Sequence, residues 1–230
     1  VDEIHCAGYA AVLNLPSAFV HKTQYLRGFE DWFMDFALNR DLLTALFDAV
    51  LEVSLAICAR QLDEVGADVD VILTADDLGV QQSIMISPDA FRTLVKPRLA
   101  RYFDLIHAKS TAKVLFHTCG SVIDIIGDLV DIGVDVLHPV QVSARGMDPV
   151  ALKAKWGQKL AFWGAIDTQH TLCQGSAADV RAEVERRIEV LGRGGGYVLG
   201  AVHNIQPDVP VENILAMYEH ARAYTPSHRR

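Results

Sequence analysis

The chain has 230 residues, of which 50% are hydrophobic and 22% are charged. A chain of this size and apolar content can bury a large core and is too apolar to be intrinsically disordered. The 21 basic and 29 acidic residues give a net charge of -8, and no run of Lys or Arg is longer than the terminal Arg229 and Arg230. We therefore expect no nucleic-acid partner.

Membrane insertion and secretion are not expected either. Asp, Glu or Arg interrupts the longest apolar runs before they reach the ~18 to 20 residues that span a bilayer. The first residues lack the charged and apolar regions of a secretory signal peptide. The cysteines, Cys6, Cys58, Cys119 and Cys173, are too irregularly spaced for a disulfide scaffold. These features predict a cytoplasmic protein with reduced cysteines.

Short apolar strands alternate with longer amphipathic helices along the chain. Strands are predicted at 9–13, 69–73, 113–116, 135–137, 160–163 and 197–199. A helical region is predicted over 30–66, and a second helix begins at the cap formed by Ser87 and Pro88. Three more helices are predicted: one after Ser121 that stops at 133, a short one from 147–148 to 156, and one from the cap at Ser176 to 191. The last helix should turn Ile214, Leu215 and Tyr218 inward, and 225–230 should be a frayed tail.

This alternation predicts an α/β fold with a parallel sheet. Both an open doubly wound sheet and a (β/α)8 TIM barrel fit the pattern. Polar residues follow nearly every strand, which favours the barrel because it brings all these loops to one mouth, whereas an open sheet concentrates its site at one switch point. Only about six βα units are present. We therefore predict a single barrel domain, 1–230, that is N-terminally incomplete.

Reactive side chains follow the predicted strand ends. They are Asn14, Asp76, Asp77, His117, Cys119, His138, Gln141, Asp167, Gln169, His203 and Asn204. In an extended segment His117 and Cys119 can point into one space, and imidazole with thiolate suits zinc. A zinc ion with an open position needs a third protein ligand. His203 after the last strand is the candidate, with Asp76 or Asp77 as an optional weak fourth ligand.

Structural alternatives exist for several of these residues. Asp76 and Asp77 could instead cap a turn or the next helix. His117 and Cys119 could be a hydrogen-bonded structural histidine and a small buried hydrophobe. Asp167 lies in a glycine-flanked loop after a strand, which favours a position lining a pocket.

Longer segments of the chain resemble the uroporphyrinogen decarboxylase superfamily, which includes the haem-pathway decarboxylase and cobalamin-dependent methyltransferases. The matching segments are Ser87-Pro-Asp-Ala-Phe91 before Lys96-Pro97, His117-Thr-Cys-Gly120, Gly133-Val-Asp-Val-Leu137, Phe162-Trp-Gly-Ala-Ile-Asp167, Gly195-Gly-Tyr-Val198, His203-Asn-Ile-Gln-Pro207 and Pro210-Val-Glu-Asn213. The resemblance implies a (β/α)8 barrel whose first strands come from an upstream part, in agreement with the strand count.

In the methyltransferase branch of this superfamily, a His-x-Cys pair and a later Cys hold a zinc ion opposite a corrinoid. His117 and Cys119 match the pair, and His203 occupies the position of the later Cys. The resemblance therefore implies a zinc-dependent methyltransferase that moves a methyl group between a small-molecule substrate and a cobalamin-type corrinoid on a partner protein. The implied metal ligands are His117, Cys119 and His203. The implied catalytic residues are Asp77 and His203, and the implied substrate-binding residues are Asp76, Gln141, Asp167 and Asn204.

Two other functions stay open at this point. A uroporphyrinogen decarboxylase would need no metal and would contact a tetrapyrrole with His203 and an aspartate. A non-catalytic relative would bind a corrinoid or porphyrin without turnover. The sequence also leaves open the methyl donor, the acceptor, the direction of transfer and the assembly, for which a homodimer is one option.

Overall fold

The computed structural model describes residues 1–227 of the chain. Within that range six strands alternate with helices: β1 Val12–Asn14, β2 Val71–Ala75, β3 Lys113–His117, β4 Val136–His138, β5 Ala161–Ile166 and β6 Tyr197–Ala201. The α-helices are α1 Asp2–Cys6, α2 Val20–Arg27, α3 Phe29–Leu38, α4 Arg40–Val65, α5 Pro88–Ala90, α6 Lys96–Lys109, α7 Ile126–Asp131, α8 Pro149–Trp156, α9 Thr171–Gln174, α10 Ala177–Leu191 and α11 Val211–Ala223. Each strand overlaps a predicted one, and the predicted tail lies partly outside the described residues.

The first of two compact units contains β1 to β3 and α1 to α7. Its strands are parallel, with Val12 opposite Val71 and Val71 opposite Lys113. Aromatic pairs fill its core: the rings of Phe19 and Phe47 lie 5.1 Å apart, edge to face. Because these rings are fully buried, apolar burial at roughly 25 cal/mol per Å² stabilises the unit.

The predicted helix over 30–66 is two helices, α3 and α4, and α2 precedes them. Asn39 separates α3 from α4 with a non-helical φ of -139°. Its side-chain amide donates a hydrogen bond to Asp35 Oδ1 at 2.8 Å. Asn competes with the helical backbone in this way, so its side chain explains the break that apolar spacing alone did not predict.

The helix predicted from Ser87 also has an interruption. Ser87 caps α5 by accepting the N–H of Ala90, and Pro88 lies in the first turn, as predicted. A π-helical segment, Phe91–Val95, then leads into α6, which has Pro97 in its first turn. Proline lacks the N–H that a continuous helix requires, and the first turn of α6 does not need that donor.

The helix predicted to begin at Ser121 starts only at Ile126, at the beginning of α7. The backbone N–H of Ser121 donates to Val80 O at 2.8 Å, and its hydroxyl donates to Arg145 O at 2.6 Å. These bonds hold residue 121 in a loop, so the prediction of the helix start was wrong by about one turn of helix.

Helix α4 is long and apolar enough to cross a membrane by length and composition alone, with a mean hydropathy of 2.0 in its most apolar window. Asp48 and Glu52 interrupt its apolar stretch, as the sequence analysis expected for the longest apolar runs. One face of the helix is buried within the first unit and consists of Leu43, Phe47, Leu51, Ser54, Cys58 and Leu62. A single helix of this kind is weak evidence for a membrane span.

The second unit contains β4 to β6, α8 to α11 and the loops 79–83 and 119–123. Its strands are parallel, with Val136 opposite Ala161. Ser176 begins α10 in a capping box with Asp179, which confirms the predicted cap.

The inward face of α11 differs in part from the prediction. Ile214 packs against the core, but Leu215 and Tyr218 are about half exposed, and Ala216 and Met217 are buried instead. Several apolar residues follow one another in this helix, so periodicity leaves the buried stripe ambiguous by one residue.

A buried carboxylate links α2 to α3. Asp35 accepts hydrogen bonds from Arg27 Nε at 2.7 Å and from the amide of Asn39, and its side chain is 1% exposed. The Arg27 guanidinium, and then Asn39, hold the pKa of Asp35 below its ordinary value. A depressed carboxyl pKa stabilises the fold above the unfolded pKa, and this contribution disappears as pH falls through the folded pKa.

We expect Asp35→Asn to lower the free energy of unfolding at pH 7, because it removes charge-assisted hydrogen bonds. The difference from the parent should shrink as pH falls below about 4, where the unfolded carboxyl takes up its proton. Denaturant titrations from pH 7 to pH 3 measure both effects. Asp31→Asn is the control, because Asp31 contacts the same arginine from an exposed position. A stability difference that does not change with pH would contradict this prediction.

Candidate metal centre

The ends of β2 and β3 bring Asp77, His117 and Cys119 together. Ala75 lies opposite His117 in the parallel register. The residues after β2 therefore lie beside the residues after β3. One ligand atom from each side chain, a carboxylate oxygen, an imidazole nitrogen and a sulfur, all lie within 4.8 Å of one another. His117 Nε2 is 3.6 Å from Asp77 Oδ1. Within residues 1–227 this is the one group of three such side chains.

The donor set of this group fits a zinc ion. Bond lengths of about 2.0 to 2.3 Å place ligand atoms roughly 3 to 4 Å apart in a tetrahedral site, so small side-chain movements suffice. Imidazole, thiolate and carboxylate are all zinc ligands in proteins. All three residues are partly buried. Three protein ligands of this kind leave the fourth position free for a substrate atom.

Asp76 has a different environment from its neighbour. It is fully buried, and its carboxylate accepts the backbone N–H groups of Phe19 at 3.0 Å and His21 at 2.9 Å. Burial raises the pKa of Asp76, against the effect of these hydrogen bonds. These bonds satisfy N–H groups at the start of α2, so Asp76 caps a helix that precedes it in the chain rather than the following turn or the next helix. The predicted contact with substrate stays a prediction.

His21 is a residue near the site that the sequence analysis missed. Its Nε2 lies 3.3 Å from the backbone N of Asp77 and 3.5 Å from Asp77 Oδ2. A hydrogen bond with Asp77 raises the pKa of His21, with a smaller contribution from Asp76 and against the effect of burial. His21 follows no predicted strand directly, and only folding brings it to Asp77.

Two glycines allow the backbone to approach closely beside Cys119. Gly120 has a φ of +82°, and a Cβ there would lie 2.5 Å from Gly79 C. A Cβ on Gly79 would lie 2.5 Å from the carbonyl oxygen of Cys119. Real Cβ atoms do not approach backbone this closely. Both turns therefore require glycine, and their contact fixes the backbone of Cys119.

Gln141, a predicted substrate-binding residue, supports the same turn. Its Oε1 accepts the N–H of Gly120 at 2.8 Å, and its Nε2 donates to Gln81 Oε1 at 2.9 Å. Gln81 in turn donates to the carbonyl of Ser143. Both ends of the Gln141 amide thus have partners within the fold. Its contact with substrate stays a prediction.

Asp167 directly follows β5, which has a strained residue near its end. Ala165, two residues earlier, has a left-handed φ of 72°, and Arg187 Nε donates to its carbonyl at 3.0 Å. Asp167 is nearly buried, and its Oδ2 lies 2.9 Å from His170 Nδ1. Strained backbone is common at functional sites, but the role of Asp167 in substrate binding stays a prediction.

His203 and Asn204 are exposed in the loop after β6. His203 Nδ1 lies 3.4 Å from the carbonyl oxygen of Asn204. His203 is not a member of the three-residue ligand group, whose third residue is Asp77. The roles of His203 as ligand and catalyst, of Asn204 as a substrate contact and of Asp77 as a catalytic residue stay predictions.

The parallel βα units and the donor set at a strand end are features of barrel enzymes that carry their chemistry in the loops after the strands. The chain belongs to the uroporphyrinogen decarboxylase (URO-D) family, because the sequence profile of that family matches residues 18–224. This match confirms the superfamily that the sequence predicts.

Individual relatives include both methyltransferases and a decarboxylase. The chain is 31% identical over 186 residues to the methylcobamide:CoM methyltransferase MtaA of Methanosarcina barkeri, covering 80% of this chain and 50% of that protein. It is 28% identical over 201 residues to a uroporphyrinogen decarboxylase of Acidiphilium cryptum, covering 84% of this chain and 52% of that protein. The chain therefore spans about half the length of these curated relatives.

A solved methyltransferase from Methanosarcina mazei has the same fold. Its TM-score is 0.74 at 24% identity, and the match covers 94% of this chain and 59% of that one. With the six parallel strands, this confirms the predicted fold class, in which the chain supplies about six βα units of a barrel. The domain bounds 1–230 stay a prediction.

We expect Gly120→Ala to lower the free energy of unfolding by more than the ~1 kcal/mol that a left-handed φ alone costs alanine. The added methyl group would meet the backbone of Gly79. Gly28→Ala is the matched control, because Gly28 has the same φ of +82° and nothing within 4 Å of its Cβ position. Denaturant unfolding of both variants measures the difference, and equal losses would show that the close approach is unimportant.

We also expect Asp76→Asn to destabilise the fold by about 1–3 kcal/mol. The asparagine amide offers one acceptor oxygen, so its NH₂ group would face one of the two backbone donors from Phe19 and His21. Asp68→Asn, at an exposed position, is the control. Equal unfolding free energies for the two variants would contradict the capping role of Asp76.

Proposed function

We propose that this chain acts as a zinc-dependent methyltransferase that moves a methyl group between a small-molecule substrate and a corrinoid of the cobalamin type. The observation that carries the proposal is the convergence of Asp77, His117 and Cys119. The choice of reaction is supported by the relatives from Methanosarcina barkeri, whose name specifies a methylcobamide and CoM. The corrinoid would be presented by a separate protein.

The side chains of the site have distinct roles in this proposal. His117 and Cys119 would bind the zinc ion through nitrogen and sulfur, and Asp77 through a carboxylate oxygen. Zinc bound there would lower the pKa of a substrate thiol or polarise another methyl-exchanging group. Gly79 and Gly120 hold the backbone of Cys119, which limits the positions that its sulfur can take.

The substrate would meet residues of the loops after β5 and β6. His203 and Asn204 are exposed and offer ring nitrogens and a side-chain amide as hydrogen-bonding groups. Asp167 offers a carboxylate paired with His170. We propose His203, Asn204 and Asp167 as the residues that select the small molecule. A cytoplasmic location also belongs to the proposal.

A decarboxylase is the second candidate, favoured by the similarity to the Acidiphilium cryptum protein. Asp77 and His203 would then contact a tetrapyrrole without a metal. A thiol and an imidazole in one partly buried group are donors that this reaction does not use, which is why we prefer the methyltransferase. A relative that binds a corrinoid or porphyrin without turnover is the third candidate.

We expect the purified chain to bind about one zinc ion with its three side-chain ligands. Cys119→Ala should weaken zinc binding by more than about 100-fold, because loss of a mere hydrogen-bond partner of a zinc ligand already lowers the affinity by about 10–100-fold. Methyl transfer from methylcobalamin to thiols, including CoM, should fall with the zinc content. Elemental analysis and competition with a chromophoric chelator measure binding.

Cys6→Ala is the matched control, because Cys6 is an exposed cysteine outside the ligand group. It should retain both zinc and methyl transfer. If Cys119→Ala retains both as well, the proposed function is wrong. Conversion of uroporphyrinogen by the metal-free chain would instead support the decarboxylase.

A further inference from the structure

Two histidines flank the carboxylate of Asp77, one at each oxygen. His117 Nε2 lies 3.6 Å from Oδ1, and His21 Nε2 lies 3.5 Å from Oδ2. His117 belongs to the three-residue ligand group, and His21 does not. The two oxygens of Asp77 therefore have different surroundings: Oδ1 faces the ligand group and Oδ2 faces α2.

The backbone of His21 is fixed by the residue that precedes Asp77. The backbone N–H of His21 donates to Asp76 Oδ1 at 2.9 Å, and the backbone N–H of Phe19 donates to Asp76 Oδ2 at 3.0 Å. Asp76 is fully buried, so water does not compete for these bonds. Because Asp76 and Asp77 are adjacent, one loop carries the carboxylate of Asp77 and also anchors the helix turn that carries His21.

The ring of His21 is held against residue 77 as well. It stacks on Tyr25, one helical turn later, with ring centroids 6.3 Å apart and 24° between the planes. With a hydrogen on Nε2 the ring can donate to Oδ2, and without it Nε2 can accept the Asp77 N–H, which lies at 3.3 Å. Both tautomers keep the imidazole beside Asp77, and the one with a hydrogen on Nε2 holds the carboxylate oxygen Oδ2.

From this geometry we propose that His21 is a positioning residue that holds Oδ2 of Asp77 and so presents Oδ1 as the third metal-binding atom. The proposal rests on the zinc site of the proposed function. Hydrogen bonds to the outer atoms of metal ligands orient those ligands, and their loss typically costs 10–100-fold in metal affinity. His21 itself does not bind the metal in this arrangement.

The test compares zinc affinity in the parent chain, His21→Ala, Asp77→Ala and the double variant. We expect His21→Ala to weaken zinc binding by about 10–100-fold. Because His21 acts through Asp77, the same change should have little effect in the Asp77→Ala background. His21→Gln keeps a side-chain donor that can reach Oδ2, so it should recover part of the affinity.

Absorption spectra of the Co²⁺-loaded chain give a second readout. In His21→Ala the sulfur-to-cobalt absorption from Cys119 should persist, while the visible bands change because the carboxylate ligand has moved. A general loss of folding would instead remove the sulfur absorption, and His21→Gln then tests the proposal in a less disruptive way.

His5→Ala is the matched control. His5 Nε2 lies 2.9 Å from Asp70 Oδ2, so it is also a histidine paired with an aspartate, but Asp70 precedes β2 whereas Asp77 follows it. Zinc affinity should not change in this variant. If His21→Ala binds zinc like the parent while Cys119→Ala does not, the positioning role is wrong and the zinc site stands. If Cys119→Ala binds zinc like the parent, the proposed function itself fails. An equal loss from His21→Ala with and without Asp77 would also overturn the positioning role.

Discussion

The candidate metal centre depends on the parallel register of β2 and β3. Parallel strands end at the same edge of a sheet, and the pairing of Ala75 with His117 aligns these two ends. Asp77 follows one strand end and Cys119 follows the other, so a single register determines which donors meet. A shift of one residue would turn His117 to the opposite face, because side chains alternate along a strand. The chemistry proposed for this chain thus depends on the backbone pairing of β2 with β3.

The register alone does not fix the ligand atoms, because both donors after the strands lie in turns. On the β3 side, the contact of Gly79 with the Cys119 carbonyl and the bond from Gly120 to Gln141 immobilise the backbone that carries the sulfur. On the β2 side, the buried Asp76 ties its loop to α2. The site therefore uses glycine where space is short and a buried carboxylate where backbone donors need an acceptor. Both arrangements act on the backbone of the loops that carry the ligands.

The sequence predicts the strands and the pairing of His117 with Cys119 because both signals are local. Short apolar runs bounded by turn residues indicate strands, and residues two apart in a strand share a face. It does not predict His21, which lies far from Asp77 along the chain and approaches it only through tertiary hydrogen bonds with Asp76. The break at Asn39 and the late start of α7 were missed for a similar reason. In each case the hydrogen bonds of one polar residue, Asn39 or Ser121, override an apolar pattern that by itself favours a helix. The third ligand was assigned by position in the strand order to His203, whereas distance favours Asp77.

Charge supports the same choice of third ligand. A thiolate, a carboxylate and a neutral imidazole together match the charge of a divalent cation, whereas two imidazoles and a thiolate leave a positive excess. A balanced, partly buried site costs less desolvation than one with an uncompensated charge. His21 lies beside Oδ2 of Asp77 and outside the ligand group. It can therefore hold this carboxylate in place without adding a further ligand or changing the charge of the donor set.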